Sequence, residues 1–339
     1  MSLIHQNLEF HNVAALEDSP GLPGKILPRY PAATRRFLSE RGRFVSMEST
    51  GCEIRFVTAA PNVRLFLSHL EADQEATVYR GEFLVGRYAV PMGKVTCLHL
   101  APPERFDWVR PELLRGAFDA AVWRVCFNRA TAVFHGIDAF GHEVRPPDPS
   151  EKPGKRWLAY GSSITHGNLL SYIFHTGRIL GLDVSNKGLS GACQIEAAAA
   201  DYLADGVAYE VATLELGVNM RDGQFTPQEF EKRATYLVER LIGKNPQTPH
   251  FLITIFPNFD DFRPAGKETT GTQNDAAFDE AIRRIHAKIR HPLLHLIEGS
   301  QVLVHPGGLS NDLIHPGEFG HAQMGANLAR LMAAHLAPH

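Results

Sequence analysis

Trp157-Leu-Ala-Tyr-Gly-Ser-Ser-Ile-Thr-His-Gly167 is the stretch on which the reading of this chain turns. It opens as a short apolar run ending in Tyr160, which predicts a strand, passes through a tight Gly-Ser-Ser turn, and continues into a segment able to start a helix. A serine on such a strand-to-helix turn stands exposed at the carboxyl edge of a sheet, beside backbone N–H groups that can bind an oxyanion. An ordinary βα loop would look the same, because Gly and Ser are common turn residues. The surrounding sequence separates the two readings.

Just upstream, Arg145-Pro-Pro-Asp-Pro-Ser-Glu-Lys-Pro-Gly-Lys155 is polar, proline-dense and free of apolar periodicity. It predicts a boundary near residue 150, with domains over 1–150 and 151–339. Downstream, strands are expected at Arg156–Tyr160, Asp183–Asn186, Val211–Leu216, His250–Phe256 and Leu293–Ile297. Helices are expected at Leu169–Leu180, Cys193–Ala204, Pro227–Ile242, Asp275–Ile289 and Glu318–Leu336. The third helix is the best marked. Thr226 and Glu229 form a capping-box pair, Pro227 takes the first helical position, and Phe225 is placed to staple onto Phe230. Phe230, Ala234, Leu237 and Leu241 make its apolar stripe, and Gly243 is placed to end it. Strand-helix alternation of this kind predicts a doubly wound α/β domain with a parallel sheet, its ligand crevice at the carboxyl ends of the strands.

Three further stretches fall where that crevice should lie: Asn186-Lys-Gly-Leu-Ser-Gly191, Leu216-Gly-Val-Asn219 and Asn311-Asp-Leu-Ile-His315. Each is commonplace alone. Together, in this order and each at a strand end or before the last helix, they form a pattern. With it the second half, from about Arg156, resembles the SGNH (GDSL-type) hydrolase superfamily. The resemblance implies a flavodoxin-like three-layer αβα domain with Ser163 as nucleophile, in the block Gly161-Ser-Ser163-Ile-Thr165. It maps the second block's glycine to Gly191, the third block's asparagine to Asn219, and the last block's Asp-x-x-His to Asp312 and His315, with Pro316 and Gly320 also fitting. Ser162 stands where Asp is usual, and Met220 where Asp often follows the Asn. Those departures touch the surrounding hydrogen bonds and no catalytic group.

The chemistry explains the residue types. A serine hydroxyl is a weak nucleophile until a base takes its proton, and neutral His315 suits that role near neutral pH. Asp312 can orient the imidazole and stabilise its charged form. The oxyanion that forms on attack needs donors fixed in advance, and the backbone N–H groups of Ser163 and Gly191 with the amide of Asn219 supply three. A glycine at 191 leaves its N–H open to close approach. His166 and His175 lie near the nucleophile in sequence, but side chains on the helix after the turn are expected to point away. His321 is expected to be a surface or packing residue. Arg221 and Asp222, which follow Asn219, could line the pocket, though a solvated loop is the plainer reading.

The first half reads differently. From Phe10 to about Phe140 the period is two: Cys52, Ile54 and Phe56 alternate with Glu53 and Arg55, and Val63, Leu65 and Leu67 with Arg64 and Ser68. Thr77–Leu84 reads as a hairpin turning near Gly81, with further strands at Val95–Leu100, Ala121–Asn128 and Ala132–Ile137. Short helical insertions are expected at Phe37-Leu38 and Pro111–Leu114. This is the pattern of an all-β sandwich, jelly-roll-like in character. Tyr79, Trp108 and Trp123 could make a sugar-stacking platform, though core or rim aromatics is the plainer reading. A β-rich domain ahead of the hydrolase half also resembles two-domain family members, among them carbohydrate esterases and an acyltransferase-like enzyme of polyketide biosynthesis.

Composition excludes several classes. With 339 residues and a formal charge of −3, nothing points to nucleic acid or an anionic membrane as partner. Met1-Ser-Leu-Ile-His-Gln-Asn7 lacks the basic and apolar regions of a signal peptide and no run approaches membrane-spanning length, so a cytoplasmic protein is expected. Cys52, Cys97, Cys126 and Cys193 stand singly and read as buried thiols. The chain has 17 histidines, but the densest cluster, His315-Pro-Gly-Glu318-Phe-Gly-His321, cannot lie on one helix face, so neither metal nor organic cofactor is expected. The expected activity is hydrolysis of a short acyl ester, acetyl first, on a carbohydrate or other polar alcohol. Acyl transfer by the same residues is the alternative. A carbohydrate-binding protein with a vestigial hydrolase domain is a third reading, against which all five site residues are present.

Overall fold

The structure is a computed structural model that describes residues 2–336. Its contacts divide the chain into two compact units, Met1–Pro31 with Ser46–Gly154, and Ala32–Val45 with Lys155–His339. The segment 32–45, embedded in the β-rich half of the sequence, thus packs with the second unit.

The first unit is a β-sandwich of two antiparallel sheets. One has six strands in the spatial order Leu3–His5, Leu8–His11, Glu53–Val57, Val122–Phe127, Gln74–Arg80 and Phe83–Val90. The other has five: Glu17–Asp18, Lys25–Ile26, Ala132–Asp138, Val63–His69 and Thr96–Leu100. Alternation sets the core. Ile54, Phe56, Val78, Val125 and Phe127 from the first sheet meet Leu65, Leu67, Leu98 and Phe134 from the second in one buried cluster. The hairpin turns at Gly81, with Arg80 opposite Phe83. Trp123 is fully buried and stacks on Phe56, so it offers no face to a sugar, whereas Trp108 is exposed. Glu53 and Arg55, on the polar side of the alternation, are buried too. Arg55 and Arg124 both pair with Glu53 and lie over the Phe118 ring. Cys52, Cys126 and Cys193 are buried as expected; Cys97 is only half-buried. Pro111–Leu114 forms a single 3-10 turn.

The second unit carries a five-stranded parallel sheet, β1 (Lys155–Tyr160), β2 (Leu182–Asn186), β3 (Val211–Glu215), β4 (His250–Ile253) and β5 (Leu294–Ile297), in the order β2-β1-β3-β4-β5. Strands β3 and β4 are buried at every position, as central strands covered on both faces must be, and the edge strand β2 is buried throughout as well. Trp157, set in β1, satisfies its indole N–H by donating to Thr213 Oγ1 of β3 at 3.0 Å. The helices are α1 (Ala32–Arg35), α2 (Glu40–Val45), α3 (Ser163–His166), α4 (Tyr172–Leu180), α5 (Ala197–Asp205), α6 (Pro227–Lys244), α7 (Thr270–Ile289), α8 (Gly299–Val302) and α9 (Glu318–Ala333). On one face α4 and α9 pack together, and Met324, Leu328 and Met332 of α9 join Trp157, Ala159, Phe251 and Ile253 of the sheet. Helices α5, α6 and α7 make the other layer, with Phe230 stacked on Phe278 at 4.3 Å. Each fully buried side chain of this size contributes roughly 1.5–3 kcal/mol.

Two details of α6 differ from expectation. Thr226 Oγ1 accepts the Glu229 N–H at 3.2 Å, but the Glu229 carboxylate pairs with Arg233 one turn on, so the box is only half closed. The helix also runs through Gly243 to Lys244. It stops where Asn245 precedes Pro246, since a residue before proline is driven out of the helical region. Helix α5 begins at Ala197, after an irregular stretch in which Ile195 has φ +53°.

The order β2-β1-β3-β4-β5 reverses direction between β1 and β3. Loops that leave neighbouring strands toward opposite faces open a crevice there. The loops following β1, β2 and β3 hold Ser163, Gly191 and Asn219 respectively.

Candidate active site

Strand β1 ends at Tyr160, and the chain turns at Gly161 beneath a buried carboxylate. A Cβ on Gly161 would stand 2.4 Å from Glu215 Oε2 and 2.4 Å from Thr165 Oγ1, so only glycine lets the backbone pass. Ser162 caps α3, its hydroxyl accepting the Ile164 N–H at 3.1 Å. The same residue donates its N–H and hydroxyl to Glu215 Oε2 at 2.7 and 2.8 Å, and Thr165 Oγ1 adds a third bond at 3.0 Å. Glu215, at the end of β3, therefore ties down the turn on both sides of Ser163. It also explains why Ser162 fits this position: a hydroxyl donates to Glu215, where a second carboxylate would repel it.

Ser163 is the first residue of α3, and its hydroxyl lies 2.7 Å from His315 Nε2. His315 Nδ1 lies 2.7 Å from Asp312 Oδ2, while Asp312 Oδ1 accepts from Ser310 Oγ and from the backbone N–H groups of Ile314 and His315. Burial would raise the Asp312 carboxyl, but those hydrogen bonds outweigh it and hold the group well below the usual range. An ionised Asp312 requires the proton on Nδ1, which leaves the Nε2 lone pair for the serine hydroxyl. The loop that sets this geometry is tightly wound. Leu313 takes φ +54°, its carbonyl accepts the Phe259 N–H at 2.7 Å, and the His315 carbonyl accepts the Ser310 N–H at 2.7 Å.

Around the serine, three donors have no partner among the described residues. Neither the Ser163 nor the Gly191 N–H has a partner among the described residues, and Gly191 has φ +68°, a conformation that favours glycine. Asn219 Oδ1 accepts the Cys193 N–H at 3.1 Å, which turns its amide NH₂ the other way. Ser163, Gly191, Asn219 and His315 line one cavity of about 410 Å³, joined by Arg41 and Arg221. A larger groove of about 840 Å³ runs beside α6 and contains none of the four.

The neighbouring histidines are turned elsewhere. His166 is buried with Nδ1 accepting the Ser190 N–H at 3.4 Å, and His321 packs parallel to Tyr172 and accepts its N–H. Arg221 departs from expectation. Its side chain is buried, pairing with Asp260 at 2.8 Å and with Asp275, and bonding Asn258 at 2.6 Å, while Asp222 is exposed. No local pattern announces this, because its partners lie 39 and 54 residues further along the chain. Glu215 had a fainter signal, a lone acid closing an apolar strand. Among the described residues no group of three or more His, Cys, Asp or Glu is placed to hold a metal ion, and no helix is long and apolar enough to cross a membrane.

Glu215 makes the domain sensitive to pH. Burial pushes it up to about 7, against the pull of the hydrogen bonds from Ser162 and Thr165. Its proton is thus held more tightly in the folded chain than in the unfolded one. The stability this gives is complete below about pH 4.5 and is lost as the pH rises through about 7. Glu215→Gln keeps an acceptor for the turn and removes the titration. Its unfolding free energy, relative to wild type, should rise by about 3 kcal/mol between about pH 5 and about pH 8. Urea titrations at both pH values measure this; a constant difference would show that Glu215 does not titrate there.

Residues 159–323 match the model of the GDSL-like lipase/acylhydrolase family. No curated protein matches the chain. Among solved structures it is similar over nearly its whole length to the salicylyl-acyltransferase SsfX3 from a tetracycline biosynthetic pathway, at 17% identity, covering 98% of this chain and 96% of that one, with a TM-score of 0.79. A candidate GDSL-like lipase from Bacteroides ovatus aligns at 18% identity over 97% and 96% of the two chains, with a TM-score of 0.68. A family two carbohydrate esterase from Clostridium thermocellum aligns at 12% identity over 84% and 92%, with a TM-score of 0.61. At these identities the likeness is one of fold.

Proposed function

We propose that this chain, which belongs through residues 159–323 to the GDSL-like lipase/acylhydrolase family, is a serine esterase that removes short acyl groups, acetyl first, from a carbohydrate or other polar alcohol. The observation that carries the reading is the hydrogen-bonded line Asp312–His315–Ser163, facing three donors without partners across one cavity.

In this reading Ser163 Oγ attacks the ester carbonyl as His315 Nε2 takes its proton. The carbonyl oxygen, now an anion, receives the N–H groups of Ser163 and Gly191 and the Asn219 amide. Collapse expels the alcohol, which receives the proton back from His315, and leaves acyl-Ser163. Water, deprotonated by the same histidine, then releases the acid. Asp312 holds the imidazole in the required tautomer throughout and stays ionised.

The cavity supports a small acyl group and a polar alcohol. Its volume is near the lower end for ligand pockets. Arg41, Ser190, Asn219, Arg221 and Asp222 bring polar groups to its wall, where a polar alcohol would sit, beside apolar ones from Val218, Phe259 and Ile314.

p-Nitrophenyl acetate, butyrate and octanoate test this. kcat/KM should fall steeply with chain length; an octanoate rate equal to or above the acetate rate would overturn the short-acyl reading. Similarity to an acyltransferase over nearly the whole chain favours one second reading, in which an alcohol other than water resolves the acyl-serine. Adding glycerol or a simple sugar during turnover, and analysing products for a new ester, distinguishes the two.

A further inference from the structure

We propose that Arg41 is a positioning residue for the oxyanion hole, holding the Ser190–Gly191 peptide so that the Gly191 N–H faces the reacting carbonyl. The inference rests on the esterase reading above. It concerns a residue that precedes Ser190 by 149 positions and belongs to no motif of the site.

A peptide unit carries its C=O and N–H on opposite sides of one rigid plane. Whatever holds the Ser190 carbonyl therefore also aims the Gly191 N–H. Arg41 Nε donates to that carbonyl at 3.3 Å. Packing does not fix the plane. At Gly191, with φ +68°, the only atom among the described residues, its chain neighbours apart, within 4 Å of where a Cβ would stand is Arg41 Nε, at 3.9 Å. The Ala192 N–H closes a turn on the Leu189 carbonyl at 2.9 Å, but such a turn is compatible with either orientation of its middle peptide, so the Arg41 bond selects the one that aims the Gly191 N–H. The contact with a cation adds a second effect. A charged donor on the carbonyl oxygen polarises the peptide and makes its N–H a stronger donor to a developing anion.

The element carrying Arg41 is held to the same loop at two other points. The Ser39 N–H donates to Glu196 Oε1 at 3.2 Å, and a Cβ at Gly42 would lie 3.8 Å from that of Ala192. Helix α2 thus lies against residues 190–196. Among the described residues Arg41 has no carboxylate partner, only the Ser190 carbonyl and the ring of Phe44. Its charge stands beside the place where the oxyanion forms, and no acid neutralises it.

The test compares Arg41→Ala, Arg41→Lys and Ser163→Ala with wild type on p-nitrophenyl acetate, with melting temperatures measured for all four. Arg41→Ala should lower kcat about tenfold, a part of the roughly 10²–10³ that losing a whole donor costs, with KM nearly unchanged. Arg41→Lys, which keeps a charged donor, should recover part of the loss, and adding ethylguanidinium to Arg41→Ala should raise kcat. The melting temperature should not move, because Arg41 is exposed. Wild-type kcat in Arg41→Ala, or a loss confined to KM, would overturn the proposal, the second outcome making Arg41 a substrate-binding residue. Should Ser163→Ala be active, the esterase reading itself fails. An inactive Ser163→Ala beside a fully active Arg41→Ala removes only the role given to Arg41.

Discussion

Ser163→Ala is expected to lower kcat on p-nitrophenyl acetate by on the order of 10⁶, leaving only what the remaining binding groups provide. His315→Ala should cost about as much, and the double variant no more than either alone. The reason is the 2.7 Å bond between the hydroxyl and Nε2. A serine without its base and a base without its serine both leave the first step undone, so the losses cannot add. Stability should be untouched. The hydroxyl's one side-chain bond is to His315, whose ring is nearly half exposed and keeps its bond to Asp312. Kinetics and thermal melts of the three variants check both halves. An active Ser163→Ala protein, or a double variant whose loss is the product of the two single losses, would sink the assignment.

The second large effect is on stability. Arg221→Met should lower the unfolding free energy by about 3–5 kcal/mol, because it removes the cation paired with buried Asp275 and leaves Asp260 with Arg263 alone. Arg221 Nη2 lies 2.8 Å from Asp260, Nη1 bonds Asp275 and Asn258, and the Arg221 carbonyl accepts from Asn274 at 2.7 Å. The two acids are not in equal states. Burial would raise Asp260, but the hydrogen bonds from Arg263, Thr272 and Thr269 hold it below its ordinary value. Burial lifts Asp275 to about 6, so it is the one ready to take a proton when the arginine goes. Differential scanning calorimetry should show the transition lowered by about 10 °C. Adding Asp260→Asn and Asp275→Asn to Arg221→Met should restore much of the loss. A single variant that melts with wild type would mean that the group contributes no net stability. Activity should fall as well, since Arg221 is two residues past Asn219 and fixes that loop to α7.

Most of the candidate site was legible because its groups are organised locally. Ser163 follows β1 by three residues, Asn219 follows β3 by four, and Asp312 and His315 share one turn. Short spacings of this kind leave a trace in a linear string, as do the apolar runs of β1–β5 and the capped stripe of α6. Local propensity misleads where tertiary context decides the outcome. Gly243 was expected to stop α6, but an exposed glycine is tolerated in a helix at a cost of about 1 kcal/mol, and the pre-proline Asn245 ends it instead. Cys97 was expected to be buried by its apolar neighbours, yet its strand, Thr96–Leu100, is an edge of its sheet.

The sequence by itself determined the α/β class of the second half and the β-sandwich of the first, and it singled out the residues proposed here as nucleophile, base, acid and oxyanion donors. The two folds follow from periodicity, and the site residues from short local stretches read through the family resemblance. Only the tertiary structure decided what holds them in place. Glu215 reaches back to Ser162 because β3 lies beside β1 in the sheet, Arg221 finds Asp260 and Asp275 across two loops, and Arg41 meets Ser190 because the segment 32–45 packs with the second unit. A buried charge needs its partner at hydrogen-bond distance but sets no limit on their separation in sequence. Such pairings become visible only once the chain has folded.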